Sequence, residues 1–176
     1  MFMNTVKTML YGWLKYWVSF CFNLVNLLLG NKLPPFGSAA VVVEEQGRYL
    51  VMLLPSGRVV FPGGFMTWRE HPREAAEREG REETGLLLEA DDLINFYSLV
   101  TTDWRALSTV SFVYHARVRG GQLRAGMEGR PCWLTEDELR QRMDRHSLRV
   151  LDDYLSYRQR RREELSRIKT LVPLVR

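Results

Sequence analysis

The chain has few cysteines and no large excess of charge. Its 176 residues include only Cys21 and Cys132, which are too few for the disulfide framework of a small secreted protein. The 25 basic and 21 acidic residues leave a net charge of +4, which excludes a histone-like polycation. Hydrophobic residues make up 45% of the chain, which excludes a wholly disordered chain. We therefore expect one globular domain with an appendage, in the reducing cytoplasm.

Acidic residues are absent from residues 1–33, where the charges are Lys7, Lys15 and Lys32. The sixteen residues between Lys15 and Lys32 are uncharged, fewer than the about 20 apolar residues that a membrane-spanning helix needs. Polar residues recur at three- and four-residue spacing and predict one narrow polar stripe on an otherwise apolar helix. The stripe consists of Asn4, Lys7, Tyr11, Lys15, Ser19, Asn23 and Asn26.

Three interpretations of this apolar helix stay open at the level of sequence. A helix lying in the plane of an anionic membrane surface fits the tryptophans and lysines. A spanning helix fits the overall apolarity, but Lys15 would have to extend toward the headgroups. A helix packed on the domain, or on a second copy of the chain in a homodimer, is the third. A cleaved signal peptide is disfavoured because Lys15 interrupts the apolar region.

Short β-branched runs and turn residues predict strands and helices beyond residue 38. Residues 39–43 and 49–54 predict a β-hairpin, and a tight, irregular bend is expected at Pro62-Gly63-Gly64. A helix is expected over residues 72–84, since Pro72 suits its first position and Gly85 its C-terminal cap. Further strands are predicted at 59–61, 95–100, 109–118 and 132–134, with helices from the Thr135 capping box and over 147–168. The result is an α+β chain, a mixed sheet with helices on its faces.

Three carboxylates of the predicted helix share one face. Glu79, Glu82 and Glu83 stand at positions i, i+3 and i+4, so that their like charges lie within several ångströms of each other. A set of oxygen ligands selects hard divalent ions, which suggests Mg²⁺ or Mn²⁺. This short pattern alone is common on solvated helices and does not establish a site.

The longer segment from Gly64 to Leu86 resembles the signature of the Nudix hydrolase superfamily. In that signature, glycine is followed after five residues by glutamate. After seven more residues come Arg-Glu, an aliphatic residue, any residue, Glu-Glu, any residue, glycine and an aliphatic residue. The matching residues here are Gly64, Glu70, Arg78, Glu79, Glu82, Glu83, Gly85 and Leu86. The resemblance extends over about residues 38–145 and implies a Nudix-type α/β/α sandwich with a mixed β-sheet.

The resemblance also implies an activity and roles for residues. Nudix hydrolases cleave a phosphoanhydride bond in a nucleoside diphosphate linked to another moiety, so the substrate is a nucleotide-type small molecule. Arg78 is expected to position the glutamates, and Glu70 to support them from behind. The metal ligands implied for Mg²⁺ or Mn²⁺ are Glu79, Glu82, Glu83 and the backbone carbonyl of Gly64.

The general base varies across the family, and two candidates stay open. Glu128 lies in the predicted loop Gly126-Met127-Glu128-Gly129, where relatives often carry such a glutamate. Glu83 is the alternative. The resemblance assigns no substrate-binding residues.

One position departs from the signature. Gly80 stands where the family usually has a bulky aliphatic residue that packs the helix onto the sheet. Glycine within a helix costs about 1 kcal/mol relative to alanine and fills no volume. We expect a residue among Leu86 to Leu88, or another neighbour, to fill the space.

These patterns predict three segments: an apolar helix over residues 1–33, a Nudix hydrolase domain over 38–145 and a basic helix over 146–176. The arginines around Arg158–Arg162 suit a solvated helix face or anionic lipid better than nucleic acid, and no specific nucleic acid is expected. The alternative function is a non-catalytic Nudix-like nucleotide sensor or scaffold at a membrane surface. Such modules usually lose a metal carboxylate, so the sequence favours the enzyme.

Overall fold

A computed structural model describes residues 16–126 and 129–171, with the side chains of 169–171 excepted. The N-terminal part of the predicted apolar helix, with Lys7 and Lys15, and the candidate base Glu128 lie outside the described residues. The chain divides into two compact units. We call Met1–Gly37 with Tyr97–Ser111 the N-terminal unit, and Ser38–Phe96 with Phe112–Arg176 the larger unit.

The strands form two four-stranded sheets. The first has the order β5-β1-β7-β6. In the second, β3 pairs with β8 along its whole length and with β2 and β4 near its two ends. The strands are β1 (Phe36–Val42), β2 (Glu44–Glu45), β3 (Arg48–Leu53), β4 (Val59–Val60), β5 (Gly63–Phe65), β6 (Leu86–Leu99), β7 (Thr109–Gly121) and β8 (Arg130–Thr135). The helices are α1 (described over residues 16–28), α2 (Pro72–Thr84), α3 (Glu136–Arg142) and α4 (Arg145–Leu171). The α+β class is confirmed.

The predicted hairpin between residues 39–43 and 49–54 is wrong in its extent. Strands β1 and β3 lie in different sheets, and the hairpin is the short pair β2–β3. Gln46 and Gly47 make its turn with positive φ angles of 50° and 74°, as a two-residue hairpin turn requires. Val41, Val42 and Val43 are all buried. A hairpin strand with one face exposed to solvent would instead alternate between buried and exposed residues. The chain therefore passes from one sheet to the other at Val43.

The irregular bend predicted at Pro62-Gly63-Gly64 is confirmed at Pro62 and wrong for the two glycines. Gly63 and Gly64 belong to β5, which runs antiparallel to β1 with Gly64 opposite Ala39. Glycine is needed there for close approach. A Cβ atom on Gly63 would overlap the carbonyl oxygen of Ala39, and one on Gly64 would lie 2.5 Å from a carboxylate oxygen of Glu79.

Helix α2 has the predicted bounds and the predicted caps. The Glu74 carboxylate accepts a hydrogen bond of 2.9 Å from the backbone N–H of His71, which precedes Pro72. At the other end, Gly85 has a φ of 78° and its N–H donates to the carbonyl of Arg81. The buried face consists of small residues, which allow the helix to lie close to its neighbours. These are Ala75, Ala76, Gly80 and Thr84. At the start of α3, the Thr135–Glu138 capping box is confirmed.

Helix α4 begins in the core of the larger unit and ends exposed. Its early residues Val150, Leu151 and Tyr154 are buried. Further along, Arg158 pairs with Glu44 at 2.7 Å, and Arg161 pairs with Asp92. Two arginines of the basic cluster thus fasten the helix to the strands, while Arg160 and Arg162 are exposed.

Helix α1 belongs to the N-terminal unit, and its polar stripe is turned toward that unit. Ser19 is buried. The Asn23 side-chain amide donates to the carbonyls of Trp104 and Ala106, at 2.9 and 3.0 Å. The polar stripe is therefore confirmed over the described part of the helix. Within residues 16–126 and 129–171, no helix is long and apolar enough to cross a membrane.

Candidate active site

The guanidinium of Arg78 lies at the centre of the carboxylates that follow β5. Its Nε and Nη2 donate to the two oxygens of Glu70, at 2.7 and 2.9 Å. Its Nη1 donates to Glu79 at 2.7 Å and to Glu82 at 3.2 Å. Nη2 also donates to the carbonyl of Phe65 at 3.0 Å. One planar cation thus connects the end of β5 with two predicted metal ligands of α2.

Glu70 is the best-secured carboxylate of the group. Its side chain is only 11% exposed, and it also accepts hydrogen bonds from the backbone N–H and the hydroxyl of Thr67. The Arg78 hydrogen bonds lower the pKa of Glu70 from its usual 4.5 to about 2, against the opposing effect of burial. Glu70 in turn raises the pKa of Arg78. The two side chains therefore form a permanently ionised pair at neutral pH.

Thr67 is a site residue that the sequence analysis missed. Thr67 and Glu70 stand in the Thr-x-x-Glu spacing of a capping box, and this spacing was the available signal. The backbone carbonyl of Phe65 was also missed, and no side-chain pattern indicates it.

Glu83 is anchored to β5 by a backbone donor. Its Oε2 accepts a hydrogen bond of 2.9 Å from the N–H of Gly63. Gly64, the next residue, lies against the Glu79 carboxylate, as the space around its missing Cβ shows. Strand β5 thus contacts α2 at two points, through the Gly63 N–H at Glu83 and through Gly64 at the Glu79 carboxylate. This places the backbone of Gly64 beside the predicted ligands.

The residues present fit a hard divalent cation by their chemistry. Among residues 16–126 and 129–171, no three His, Cys, Asp or Glu side chains are gathered in a geometry that could hold a metal ion. Glu79 and Glu82 share the guanidinium of Arg78 instead. The donors are nevertheless carboxylate and carbonyl oxygens, which suit Mg²⁺ and Mn²⁺. The Glu82 side chain is 56% exposed, so that it has room to exchange Arg78 for a cation.

The loop that carries Glu128 starts beside the C-terminal end of α2. The N–H of Arg124 donates to the carbonyl of Thr84 at 2.8 Å. At Gly126, a Cβ atom would lie 3.8 Å from the carbonyl oxygens of Glu82 and Glu83. The backbone before Glu128 therefore lies near the backbone carbonyls of Glu82 and Glu83, while Glu128 itself stays a prediction.

A cavity of about 260 Å³ opens next to the same loop. Arg130 contributes a positive charge to its wall, and burial raises the pKa of the Cys132 thiol, which keeps the thiol neutral at pH 7. The lining residues are Leu53, Leu123, Ala125, Arg130, Pro131 and Cys132. The larger unit thus combines a carboxylate-rich helix face with a neighbouring apolar cavity that carries one cationic wall residue.

Comparison with known proteins gives consistent matches. A model of the NUDIX domain matches residues 34–154. A MutT-like protein of Streptomyces ambofaciens is 35% identical over 125 residues, which are 68% of this chain and 78% of that protein. An ADP-ribose pyrophosphatase of Methanocaldococcus jannaschii is 34% identical over 89 residues, 48% of this chain. Those residues span only 52% of that pyrophosphatase.

The fold also has solved counterparts. The crystal structure of a NUDIX hydrolase from Nitrosomonas europaea is 23% identical and matches with a TM-score of 0.63, covering 73% of this chain and 74% of that one. This likeness confirms the predicted fold. The matched domain begins at residue 34, so that α1 lies ahead of it.

Proposed function

Because the chain belongs to the Nudix family and is a pyrophosphohydrolase, we propose that it cleaves a nucleoside diphosphate linked to another moiety and depends on Mg²⁺ or Mn²⁺. The observation that carries the proposal is the Arg78 network. Arg78 holds Glu79 and Glu82 side by side, and its own position is set by two bonds to Glu70. The single positive charge of Arg78 cannot neutralise Glu70, Glu79 and Glu82 together, so the remaining negative charge attracts a divalent cation.

We assign the metal ligands to Glu79, Glu82, Glu83 and the carbonyl of Gly64. A divalent cation bound there would neutralise charge on the pyrophosphate oxygens and make the attacking water more acidic. Glycine at position 64 supports this assignment, because any side chain would displace the Glu79 carboxylate.

The chain's own residues supply orientation and a proton acceptor. Glu83 is oriented by the N–H of Gly63, which suits it to accept the proton of the attacking water. Glu128 is the alternative base, and the loop that bears it starts beside α2. Arg78 acts as a positioning residue, since its guanidinium bonds the carboxylates of α2.

The cavity beside the loop is the proposed place for the part of the substrate that is not attacked. Its apolar wall suits a base or sugar face, and Arg130 suits a phosphate. One relative of this chain is an ADP-ribose pyrophosphatase, so ADP-ribose is the first compound to test.

The test is phosphate or nucleotide release from a panel of compounds: ADP-ribose, nucleotide sugars, NADH and nucleoside triphosphates. We expect turnover of at least one nucleoside diphosphate derivative with Mg²⁺ or Mn²⁺ and its loss when EDTA is added. Hydrolysis that continues undiminished in EDTA would contradict the metal dependence. The family membership and the three retained carboxylates favour this enzyme over a non-catalytic sensor.

Attachment to an anionic membrane surface through residues 1–30 is a separate proposal. It is supported by the three lysines and the absence of acids in residues 1–33, and by the inward direction of the α1 polar stripe. A helix that pairs two copies of the chain is the competing explanation. The cytoplasmic location stays a prediction.

A further inference from the structure

Helix α1 presents its apolar side outward. Its outward side chains are between 42% and 77% exposed. With 3.6 residues per turn, they occupy about half of the helix circumference. They are Trp17, Val18, Phe20, Leu24, Val25, Leu27 and Leu28. A surface helix normally buries such residues and exposes its polar ones, so α1 has the reverse arrangement.

Hydrogen bonds within the N-terminal unit hold the helix in this orientation. Both bonds of the Asn23 amide go to carbonyls of the loop after β6, those of Trp104 and Ala106. The Asn26 oxygen accepts from the N–H of Leu33 at 3.0 Å. A rotation that buried the apolar side would break all three bonds and leave carbonyls without donors. The apolar side is therefore held toward the outside.

The loop after β6 extends the same apolar surface. The ring of Trp104 lies 6.2 Å from that of Phe20, which lies 6.2 Å from that of Trp17. Val100 is 82% exposed, and Leu99 is 40% exposed. We call the seven outward residues of α1 together with Leu99, Val100 and Trp104 the α1–loop surface. The Phe20–Trp104 contact thus joins the helix to the chain segment that follows Leu99, the last residue of β6, and that also exposes Val100.

We propose that the whole α1–loop surface, loop included, inserts into the interfacial layer of an anionic lipid bilayer. This inference rests on the membrane attachment proposed above and extends it from the helix to the β6–β7 loop. A bilayer fits the breadth of the surface, because a single partner helix packs along a narrow apolar seam, whereas the exposed arc is about half of the circumference. Tryptophans such as Trp17 and Trp104 favour the membrane interface.

The charges near the surface agree with an anionic bilayer. Lys32 is exposed just after the helix, and residues 1–33 hold three lysines and no acid. The acidic residue of the loop, Asp103, is paired with Arg105 at 3.2 Å, which offsets its repulsion of lipid phosphates. Each lysine near the bilayer adds attraction that salt weakens. Because Asn23 is bonded to the loop on one side, lipid can cover only the outward side, as in a helix lying in the membrane plane.

The test is co-sedimentation of the full-length protein with vesicles of phosphatidylglycerol and phosphatidylcholine, without detergent. Leu28→Asp probes the helix and Val100→Asp probes the loop. Leu165→Asp is the matched control, since Leu165 is 51% exposed on α4 of the larger unit. We expect at least tenfold weaker binding for the first two variants and unchanged binding for the control. Thermal melting of all three should match the wild type, because the replaced side chains are exposed.

The native thiol of Cys21 gives an independent readout, because it is exposed on α1. Anionic vesicles should slow its labelling by a polar maleimide at least tenfold, with Cys132 as the internal reference. Three results would overturn the inference. They are wild-type protein that stays in the supernatant, Val100→Asp binding like wild type, and a wild-type dimer that Leu28→Asp dissociates while neither binds vesicles.

Discussion

Leu88 occupies the space that a side chain at position 80 would fill. A Cβ atom on Gly80 would lie 2.6 Å from Cδ1 of Leu88 and 3.3 Å from Cγ2 of Val41. Leu88 is itself nearly buried, on β6. The aliphatic residue that the Nudix signature places on the helix is thus supplied from the neighbouring strand, as expected for residues 86–88, and the space next to Gly80 is filled.

Because Leu88 fills the space beside Gly80, substitutions at these two positions should have non-additive effects on stability. Gly80→Leu should destabilise the fold by about 1–3 kcal/mol or more through overpacking. Leu88→Ala should cost about 2–5 kcal/mol through the cavity that it creates. In the double variant the two defects should partly cancel, which urea unfolding of all four proteins would measure. Strictly additive losses would show that the two residues do not share one space.

The Glu70–Arg78 ion pair should make the free energy of unfolding fall at acidic pH. The folded pKa of Glu70, about 2, lies below the usual 4.5, so its contribution is fully present above about pH 4.5 and disappears as the pH falls through 2. Glu70→Gln should therefore lower the free energy of unfolding at pH 7, and the difference from wild type should shrink between pH 5 and 2. A difference that stays constant over this range would contradict the ion pair.

Asn23 should hold the β6–β7 loop in place. Asn23→Leu removes the donors to the carbonyls of Trp104 and Ala106 without reducing the size of the side chain. We expect at least tenfold faster hydrogen exchange of amides in residues 101–108, with the amides of α2 as the internal reference. Equal protection in both proteins would mean that the loop is held without Asn23.

Arg130 should affect substrate binding more than turnover. If the cavity that it lines takes the unattacked part of the substrate, Arg130→Ala should raise KM about tenfold and change kcat less than threefold. The reason is that Arg130 would bind the substrate equally well in the ground state and in the transition state. Arg119→Ala is the control, because Arg119 is exposed and pairs with Glu89. A loss confined to kcat, or the same change in the control, would contradict this role of the cavity.

Local signals predicted the local structure well. Helix α2 was bounded correctly because Pro72 and Gly85 act on the residues next to them. The sheets were less predictable. That β5 pairs with β1 and that β1 and β3 separate at Val43 depend on contacts distant in sequence. Gly63 and Gly64 suggested a bend, but they serve a close approach whose partners only the fold brings near.

The sequence predicted those residues of the site that belong to the Nudix signature. Arg78 and Glu70 are eight positions apart, and their bond follows from a turn that the Thr67 hydrogen bonds stabilise. The anchoring of Glu83 by a backbone N–H leaves no trace in side-chain spacing. The polar stripe of α1 was visible, but its inward direction was not, because Asn23 finds its acceptors about eighty residues later.

The central claim is that the carboxylates of α2 carry metal-dependent hydrolysis, and the kcat of three Glu→Gln variants tests it most directly. The substitution keeps the shape of the side chain and removes its charge. Glu77→Gln is the matched control on the same helix, where Glu77 accepts a hydrogen bond from the N–H of Ala90 that an amide oxygen can still accept. We predict at least a hundredfold loss of kcat for Glu82→Gln and Glu83→Gln with saturating Mg²⁺, and less than a threefold change for Glu77→Gln. Activity of Glu83→Gln within tenfold of wild type would contradict the account.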